Sequence, residues 1–416
     1  MGKRSTDREP VSDSASRQVR EAVVLCGDQY RESRFNRWLP VEAMLIIVVA
    51  SALRLLAIPL AVLQINPYSQ ADAVWFTRRA AKIGHGFVAG EVLVGRIFPA
   101  ESVISIYDLW GLLLSPFWVL PGPSGLYARI GVTALGVLAV YNVYAIAQYY
   151  HSPLTGIIAA LPVAVYPSFV LVQSSLLREA AVLAGITTAA HLLVRSPSVL
   201  DARRRTHGVL AASALVLAVL LRYDNVPVYL LSLGVGIGVW YVRHHELNTK
   251  TRVLVGGVVG VTGLTGLAAA PRVVDYLSRI HQRRARGRTA YLTETVPNTA
   301  PEAILFAPIG MAYFLFTPFP WMVANAMDLV VALEAVGNVL FAVAGLWGLQ
   351  AAWQRDSART AALLVGLLAA GLVYGVGTAN VGTAVRHRQM FVWVVYVFGT
   401  VGFTRWIGRR RLLKQQ

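Results

Sequence analysis

Long apolar runs separated by short polar segments dominate the chain between residues 41 and 406. Most runs contain about 17 or more residues, the length that an α-helix needs to cross a bilayer core of ~30 Å. The pattern predicts ten crossings, at 41–63, 126–148, 154–172, 178–195, 208–223, 226–242, 252–270, 331–352, 358–378 and 389–406. Neither alternating strands nor evenly spaced short hairpins, the signs of an outer-membrane barrel, are present in the sequence. The predicted fold class is therefore an all-α polytopic membrane protein with about ten transmembrane helices.

Three further segments are too polar or too rich in proline for a simple crossing. Segment 65–103 is amphipathic and aromatic, which predicts helices lying along the membrane surface in a first outer loop. The stretch "VISIYDLWGLLLSPFWVLPGP" and the stretch "AILFAPIGMAYFLFTPFPWM", near 303–322, are apolar but interrupted by prolines. Such runs are typical of re-entrant or interfacial helices that other protein covers.

The chain divides into a membrane domain and two polar ends. Residues 1–37 are rich in Ser, Arg, Asp and Glu and lack the apolar core of a signal peptide, which predicts a disordered cytoplasmic tail. Residues 38–408 form the predicted membrane domain, with the first outer loop at 65–103 and a long outer loop at 271–330. Residues 409–416 form a basic cytoplasmic tail.

Composition supports the membrane assignment and narrows the partners. The 416 residues are 56% hydrophobic and only 14% charged, whereas a soluble protein carries roughly a quarter charged residues. The net charge of +17 agrees with basic cytoplasmic loops and with membrane lipids as partners, so nucleic acid is not predicted as one. Cys26 is the one cysteine, which excludes intrachain disulfides and a buried cysteine nucleophile.

The basic loops predict the orientation of the chain in the plasma membrane. If 103–120 does not cross, "RSPSVLDARRRTHG", "RHHELNTKTR", "QRDSART" and "RWIGRRRLLK" all lie in the cytoplasm with the N-terminus. If 103–120 crosses, the first two of these loops lie outside. The positive-inside rule favours the first arrangement. It places the polar motifs "SSLLRE" and "LRYDN", the Asp72 region and "TAVRHR" together on the outer face, which predicts a site there.

Two carboxylates are the leading acidic candidates for that site. Asp72 lies on the aromatic surface segment, where it is either a general base or metal ligand or simply a residue on the wet helix face. Glu179 opens a helix, where a carboxylate either contacts a ligand or only complements the helix dipole. Asp108 is a further suspect because it is ionisable within an apolar run.

Three arginines in loops and at helix ends are candidates for binding an anion. Arg178 sits at a helix start and is opposed by the dipole there, so it needs a partner: an anionic ligand, Glu179 or a lipid phosphate. Arg222 is either a substrate contact or half of a structural pair with Asp224. Arg284 belongs to the basic stretch 279–288, which suits a phosphate, a pyrophosphate or a lipid headgroup.

The last candidates directly precede the final apolar run. Arg386, His387 and Arg388 follow a turn predicted at 380–383. Arginines at a helix end commonly snorkel to the interface, but beside the other arginines they are suited to hold a lipid-linked phosphate. The sequence contains no Walker A loop, no H-E-x-x-H, no Cys/His metal spacing and no G-x-S-x-G.

Four stretches resemble the GT-C superfamily of membrane glycosyltransferases, in particular its protein mannosyltransferase and aminoarabinose transferase-like branch. They are "SQADAVWFTRRA", "YDLWGLLLSPFWVLPGPSGLYARIGVTALGVLAVYNVYAIA", "YPSFVLVQSSLLREAAVLAGI" and "NVGTAVRHRQMFV", which span most of 40–400. The sequence departs from some members in having "SVISIYDLWG" where they have His-Pro-Pro, and in lacking an Asp-Glu pair in the first loop. The resemblance therefore leaves open the sugar and any requirement for a divalent metal.

The resemblance implies a donor, a stereochemical outcome of the transfer and a role for each matched residue. The donor would be a polyprenyl-phosphate sugar, and the acceptor a glycan, lipid or protein. Asp72 would match the acidic residue of the first outer loop, Glu179 the acidic residue that opens a later helix, and Arg386 and Arg388 the donor-phosphate ligands. The transfer would invert the anomeric centre, with the active site on the outer face.

Two other functions fit the same residues. A lipid-linked glycan polymerase or ligase would use the outer arginines for a pyrophosphate and would depend less on Asp72. A transporter or flippase of an anionic lipid would instead line a path to both faces with arginine. A third alternative is a non-catalytic membrane subunit, in which the Asp and Arg groups are structural.

Overall fold

The computed structural model describes residues 40–63, 70–90, 105–195, 202–244 and 270–413. Helices account for nearly all regular structure in these ranges, and the β-pairing found there is an isolated antiparallel bridge between Ala290 and Asn380. The predicted tail 1–37 and all but the last residue of the predicted crossing 252–270 lie outside the described residues.

Sixteen helices are described, and they are numbered here in chain order. They are α1 Val41–Val62, α2 Gln70–Val88, α3 Ile106–Leu114, α4 Pro116–Val119, α5 Ser124–Tyr150, α6 Pro153–Val165, α7 Pro167–Gln173, α8 Glu179–Arg195, α9 Ala202–Leu221, α10 Val226–His244, α11 270–284, α12 Ala300–Phe316, α13 Ala326–Arg355, α14 Ser357–Gly377, α15 Val381–Arg388 and α16 Trp393–Leu413. Single 3₁₀ turns lie at Tyr223–Asn225 and Pro320–Met322.

Five described helices are long and apolar enough to cross a membrane: Val41–Val62, Ser124–Tyr150, Tyr223–His244, Ala326–Arg355 and Ser357–Gly377. Two bent pairs, α6 with α7 at 62° and α15 with α16 at 64°, raise the number to seven if each pair is one span. The multi-pass all-α class is thereby confirmed. The count of ten stays a prediction, since the apolar parts of α8 and α9 are shorter, at Glu179–Val194 and Arg205–Leu221.

The proline-broken segment that precedes α5 forms short helices. Segment 103–120 contains α3, with nine residues, and α4, with four. At 1.5 Å per residue α3 is about 14 Å long, roughly half of a bilayer core. Both helices pack against the amphipathic α2. The predicted partial segment near 303–322 forms α12 and the Pro320–Met322 turn.

A proline breaks the helical pair α6–α7, as its sequence position predicts. Pro167 has no backbone N–H, so the carbonyl of Val163, four residues earlier, loses its helical donor. The buried guanidinium of Arg54 supplies that donor from α1, with Nη2 2.6 Å from the Val163 oxygen and Nη1 3.0 Å from the Ala164 oxygen. Glu334 of α13 accepts the freed N–H of Ser168 at 2.8 Å. Two charges buried in the bundle therefore stabilise one broken helix.

Helices α13 and α16 pack against each other through glycine. A Cβ atom placed on Gly402 would lie 2.1 Å from the Ala344 carbonyl oxygen, and one on Gly348 would lie 1.9 Å from the Phe398 carbonyl oxygen. Only residues without a side chain allow backbones to approach so closely. This contact fixes the position of α16 and hence of α15, which precedes it.

Hydrogen bonds identify two ends of the bundle. At one end, where α8 begins and α9 and α14 finish, Arg178 bonds the Leu221 carbonyl and Tyr374 bonds Asp224. At the other end, Tyr149 donates to Asp356 in the α13–α14 turn, and Arg359 donates to the carbonyl of Leu193 near the end of α8. The polar motifs "SSLLRE" and "LRYDN" share the first end.

Candidate functional site

Charged and polar side chains from six parts of the chain meet at the first end of the bundle. They are Asp72 of α2, Arg178 and Glu179 at the start of α8, Arg222 and Asp224 between α9 and α10, Arg284 at the end of α11, Tyr374 of α14, and Arg386 and His387 of α15. We call this set the arginine cluster.

A buried ion pair lies at its centre. Arg222 follows the last residue of α9, and its Nη2 lies 2.8 Å from Oε1 of Glu179. Their side chains are 4% and 3% exposed. Asp224 lies 3.5 Å from Nη1 of the same arginine. Glu179 occupies the first turn of α8, where the helix dipole favours a carboxylate. The pair predicted at the hairpin turn, Arg222 with Asp224, is thus present, and Glu179 joins it.

A second ion pair joins α2 to α15. Oδ2 of Asp72 lies 2.5 Å from Nη1 of Arg386, although the two residues are 314 positions apart. Asn380 makes this possible because its side chain accepts the N–H groups of Gly382 and Thr383 and starts α15. The turn predicted at 380–383 is therefore a helix N-cap. The Asp72 side chain is 38% exposed and that of Arg386 is 15% exposed.

Two further arginines face helix ends. Nη1 of Arg178 lies 2.8 Å from the Leu221 oxygen, and Nη1 of Arg284 lies 3.0 Å from the Gly377 oxygen. These carbonyls end α9 and α14, and the negative end of a helix dipole favours a cation. The helix-start position of Arg178 is therefore balanced by the end of a neighbouring helix.

His387 lies among these cations. Its ring is buried, and it meets the Tyr374 ring edge-on with 5.0 Å between centroids. The charges of Arg222, Arg284, Arg386 and Arg178 all act on it. Burial disfavours a charged imidazole, and these cations would also repel a second proton unless an anion entered the cluster.

Four buried polar atoms of the cluster have no hydrogen-bond partner among the described residues. They are Oε2 of Glu179, Nε of Arg222, Nε of Arg386 and Nδ1 of His387. Buried polar groups are nearly always hydrogen-bonded, so these atoms mark places for a ligand or ordered water. The cluster also contains four arginines against three carboxylates, an excess of positive charge that suits an anion.

Seven of the eight site residues predicted from sequence lie together in the cluster: Asp72, Arg178, Glu179, Arg222, Arg284, Arg386 and His387. Arg388 lies elsewhere. Its guanidinium donates to the carbonyls of Leu315 and Thr317 at the end of α12. Residues two apart on a helix point in different directions, so Arg386 and Arg388 reach different neighbours.

Two other arginines of the basic stretch 279–288 form ion pairs outside the cluster. Arg279 lies 2.8 Å from Asp275, and Arg288 lies 3.1 Å from Asp328. The Arg279–Asp275 pair is exposed on both sides and contributes little to stability, whereas the Asp328 carboxylate is buried. Within the stretch, Arg284 is the arginine on which the charges of Arg222 and Arg386 act.

Tyr374 is a member of the cluster that sequence reasoning missed. Its hydroxyl donates to Oδ2 of Asp224 at 3.1 Å and to Oδ1 of Asn225 at 2.5 Å. Its ring stacks on Phe314. The available signal was a polar-tipped aromatic residue three positions before the end of an apolar crossing, which is common in membrane proteins and points to no particular role.

Asp108, the ionisable residue of an apolar run, has a local structural role. It forms a capping box with Ser105 at the start of α3 and an ion pair with Arg79 of α2. Burial opposes its charge, but the hydrogen bonds from Ser105 and the charge of Arg79 outweigh burial and hold the pKa of Asp108 below its usual value. These contacts attach α3 to α2, the helix that carries Asp72.

Metal ligands do not gather in the described part of the chain: no three His, Cys, Asp or Glu side chains there are placed to share an ion. Asp72, Glu179 and Asp224 are each bonded to an arginine. The sequence left open whether a divalent metal is required, and the described residues offer no set of ligands for one.

Comparisons with known proteins add no relative from which a role can be transferred. No family model matches the chain, and neither a curated protein nor a solved structure does. The chemistry of the arginine cluster is therefore argued from its own residues.

Proposed function

We propose that the protein is an integral-membrane glycosyltransferase that transfers a sugar from a polyprenyl-phosphate donor to an acceptor. The observation that carries the proposal is the Asp72–Arg386 ion pair beside buried atoms of Arg222, Arg386 and His387 to which no described residue is hydrogen-bonded. A carboxylate next to anion-binding groups is what displacement of a phosphate leaving group requires. The site would lie on the outer face of the plasma membrane, with the N-terminus in the cytoplasm.

The donor phosphate would occupy the centre of the cluster. Nε of Arg222 and Nε of Arg386 are donors that find no acceptor in the part of the chain that the structure describes, and guanidinium groups bind phosphate oxygens with two parallel hydrogen bonds. Nδ1 of His387 would add a third contact. The polyprenyl tail would lie between the apolar helices, which expose Leu and Val side chains to the bilayer.

Asp72 would act on the acceptor. Its Oδ2 is held by Arg386, while Oδ1 accepts no hydrogen bond from the described residues and the side chain is partly exposed. The acceptor hydroxyl would bond Oδ1, and its oxygen would attack the anomeric carbon. The bond from that carbon to the phosphate oxygen breaks, and its electron pair stays on the phosphate. The acceptor proton passes to Asp72, and the anomeric centre is inverted.

The same cations would stabilise charge as it develops on the leaving phosphate. Arg178 and Arg284 are already bonded to helix-end carbonyls, so they would contribute through their field rather than by moving. Preorganised donors need little rearrangement in the transition state. Positioning and anion stabilisation would therefore supply much of the rate.

The number of arginines favours one further candidate. Four guanidinium groups in one cluster also suit a pyrophosphate, the leaving group of a lipid-linked glycan polymerase or ligase. A flippase would place cations along a path between both ends of the bundle. The cluster instead gathers at the end where α9 and α14 finish, which favours chemistry on one side.

A turnover assay tests the proposal. The purified full chain in nanodiscs is incubated with polyprenyl-phosphate and polyprenyl-pyrophosphate sugars, and release of the free polyprenyl carrier is followed. We expect release from the monophosphate donor and a loss of at least ~100-fold in Asp72→Asn, with Arg279→Gln as the control outside the cluster. Release from pyrophosphate donors alone, unaffected by Asp72→Asn, would establish the polymerase or ligase instead. Absence of turnover with tight lipid binding would contradict both enzymes.

A further inference from the structure

Four aromatic rings form a continuous row that begins beside the arginine cluster and ends at the protein surface. The centroids of Tyr291 and Tyr313 are 5.2 Å apart, those of Tyr313 and Phe319 are 4.9 Å apart, and those of Phe319 and Trp321 are 4.8 Å apart. Exposure rises from 4% at Tyr291 to 72% at Trp321. We call these four residues the aromatic row.

The outer end of the row is a flat, rigid surface. The rings of Phe319 and Trp321 are nearly parallel, with 4° between their planes. Pro318 and Pro320 alternate with them in sequence, and each proline fixes one backbone dihedral. The Asp328 carboxylate accepts the backbone N–H of Ala324 and pairs with Arg288, which ties the segment after Trp321 to the segment before Tyr291.

The inner end of the row is polar. The hydroxyl of Tyr291 is buried and has no hydrogen-bond partner in the described ranges of the chain. The charges of Arg388 and Arg284 act on it, and Arg284 belongs to the arginine cluster. The row therefore leads from open solvent or membrane interface to an unsatisfied hydroxyl at the edge of the proposed active site.

The exposed aromatic end and the polar end of the aromatic row together indicate which kind of ligand fits it. An acyl chain has no group that would bond the Tyr291 hydroxyl, and an interfacial anchor requires only the exposed tryptophan. A sugar chain has flat C–H faces that stack on aromatic rings and hydroxyls that satisfy buried polar atoms. Sites for small ligands combine apolar and aromatic walls with a few placed polar groups in the same way.

We propose that the aromatic row binds a saccharide, and that the acceptor of the proposed transfer is a sugar chain rather than a protein or a lipid. The chain would lie along the row with its terminal residue at the arginine cluster. The identity of the acceptor rests on the proposed function, whereas saccharide binding at the row does not.

A kinetic experiment tests the acceptor role. Carrier release and glycan transfer are measured with maltose, mannobiose and galactobiose as acceptors for wild type, Trp321→Ala and Trp321→Phe. We expect the KM for the best saccharide to rise about three- to tenfold in Trp321→Ala, the value of one aromatic contact, with a smaller change in kcat. Trp321→Phe should retain most of the affinity. Trp347→Ala removes a similarly exposed tryptophan, at 68%, from the C-terminal half of α13 and serves as the control.

A fluorescence experiment tests the row without any turnover. The emission of Trp321 is obtained as the difference between wild type and Trp321→Phe, and that of Trp347 likewise with Trp347→Phe. Brominated acyl lipid should quench Trp347, whereas aqueous iodide and a bound disaccharide should alter Trp321. Quenching of Trp321 by brominated lipid as strong as that of Trp347 would make it a membrane anchor and overturn the proposal.

The two proposals fail in different ways. If wild type releases no carrier from any donor, the glycosyltransferase proposal fails while the fluorescence result still decides saccharide binding. If carrier is released and the acceptor KM is unchanged in Trp321→Ala, or if a lipid or peptide is glycosylated in preference to every saccharide, the acceptor inference alone fails.

Discussion

The hydrogen bonds of each buried arginine separate structural cations from candidate ligand-binding ones. All three side-chain nitrogens of Arg54 donate, to the carbonyls freed at the α6–α7 break and to Gln173. Arg222 and Arg386 each keep a buried Nε that bonds to none of the described residues. A saturated guanidinium has no donor left for a ligand, whereas an unsaturated one does. Arg54 therefore stabilises the fold, and Arg222 and Arg386 are left for an anion.

Replacement of Arg54 tests the structural half of this distinction. Arg54→Met leaves the Val163 and Ala164 carbonyls without donors and should lower the free energy of unfolding by about 3 kcal/mol, at 1–3 kcal/mol per buried group. The double variant Arg54→Met with Pro167→Ala should recover part of the loss, because alanine restores the N–H that Val163 lacks. Melting temperatures in detergent measure both. Equal stability of the single and double variants would contradict the role given to Arg54.

At the scale of elements, glycine and a terminal ion pair hold the spanning helices in place. The α13–α16 contact brings backbone carbonyls to the glycines of the facing helix. At the end opposite the cluster, Asp356 accepts the backbone N–H of Arg359 and the hydroxyl of Tyr149. Arg359 also pairs with Asp356 and bonds the Leu193 carbonyl. These contacts join α5, α8, α13 and α14 far from the proposed chemistry.

The glycine contact predicts that replacing glycine by alanine affects stability very differently at two positions. Gly402→Ala places a methyl group against the Ala344 carbonyl and should cost about 1–3 kcal/mol of stability through overpacking. Gly208→Ala, in α9, meets no atom within 4 Å and should be neutral or slightly stabilising because alanine favours helix. Thermal unfolding of the two variants side by side measures the difference. Similar melting temperatures would mean that α13 and α16 are not in such close contact.

The Asp356 contacts predict a pH dependence. Burial opposes its charge, but the Arg359 N–H, the Arg359 charge and the Tyr149 hydroxyl together hold the pKa of Asp356 below its usual value. A lowered folded-state pKa stabilises the protein above the unfolded-state value, and that stability is lost as pH falls through the folded value. Asp356→Asn should therefore melt earlier than wild type at pH 7, and the difference should shrink as pH falls below about 3.9, the usual pKa of an aspartate. A constant difference across this range would contradict the assignment.

At the scale of the molecule, the bilayer explains what the sequence predicts well. Apolar length dictated the helices, because each spanning segment must satisfy its own backbone, and Pro167 marked the break between α6 and α7. The sequence could not predict which charged residues form pairs, since Asp72 and Arg386 are 314 positions apart. The direction of Arg388 was missed because 380–383 was read as a turn rather than as the start of α15, which sets the helical phase of the residues that follow.

The two ends of the bundle provide exposed positions at which the predicted membrane topology can be tested. Arg283, beside the cluster, and Gln354, near the opposite end, are both exposed. Single cysteines at these positions, in a Cys26→Ser background, should react with an impermeant maleimide from opposite sides of right-side-out cells, the first from outside. Labelling of both from one side would contradict the orientation on which an outer active site depends.

Binding of a short prenyl phosphate tests the central claim most directly, since it asks whether the arginine cluster is an anion site and needs neither sugar nor acceptor. The full chain in nanodiscs is titrated with farnesyl phosphate and with farnesol. We expect wild type to prefer the phosphate at least tenfold, a difference of about 1.4 kcal/mol, and Arg386→Gln to lose that preference while Arg279→Gln keeps it. Equal affinity of wild type for phosphate and alcohol, or an unchanged preference in Arg386→Gln, would contradict the account.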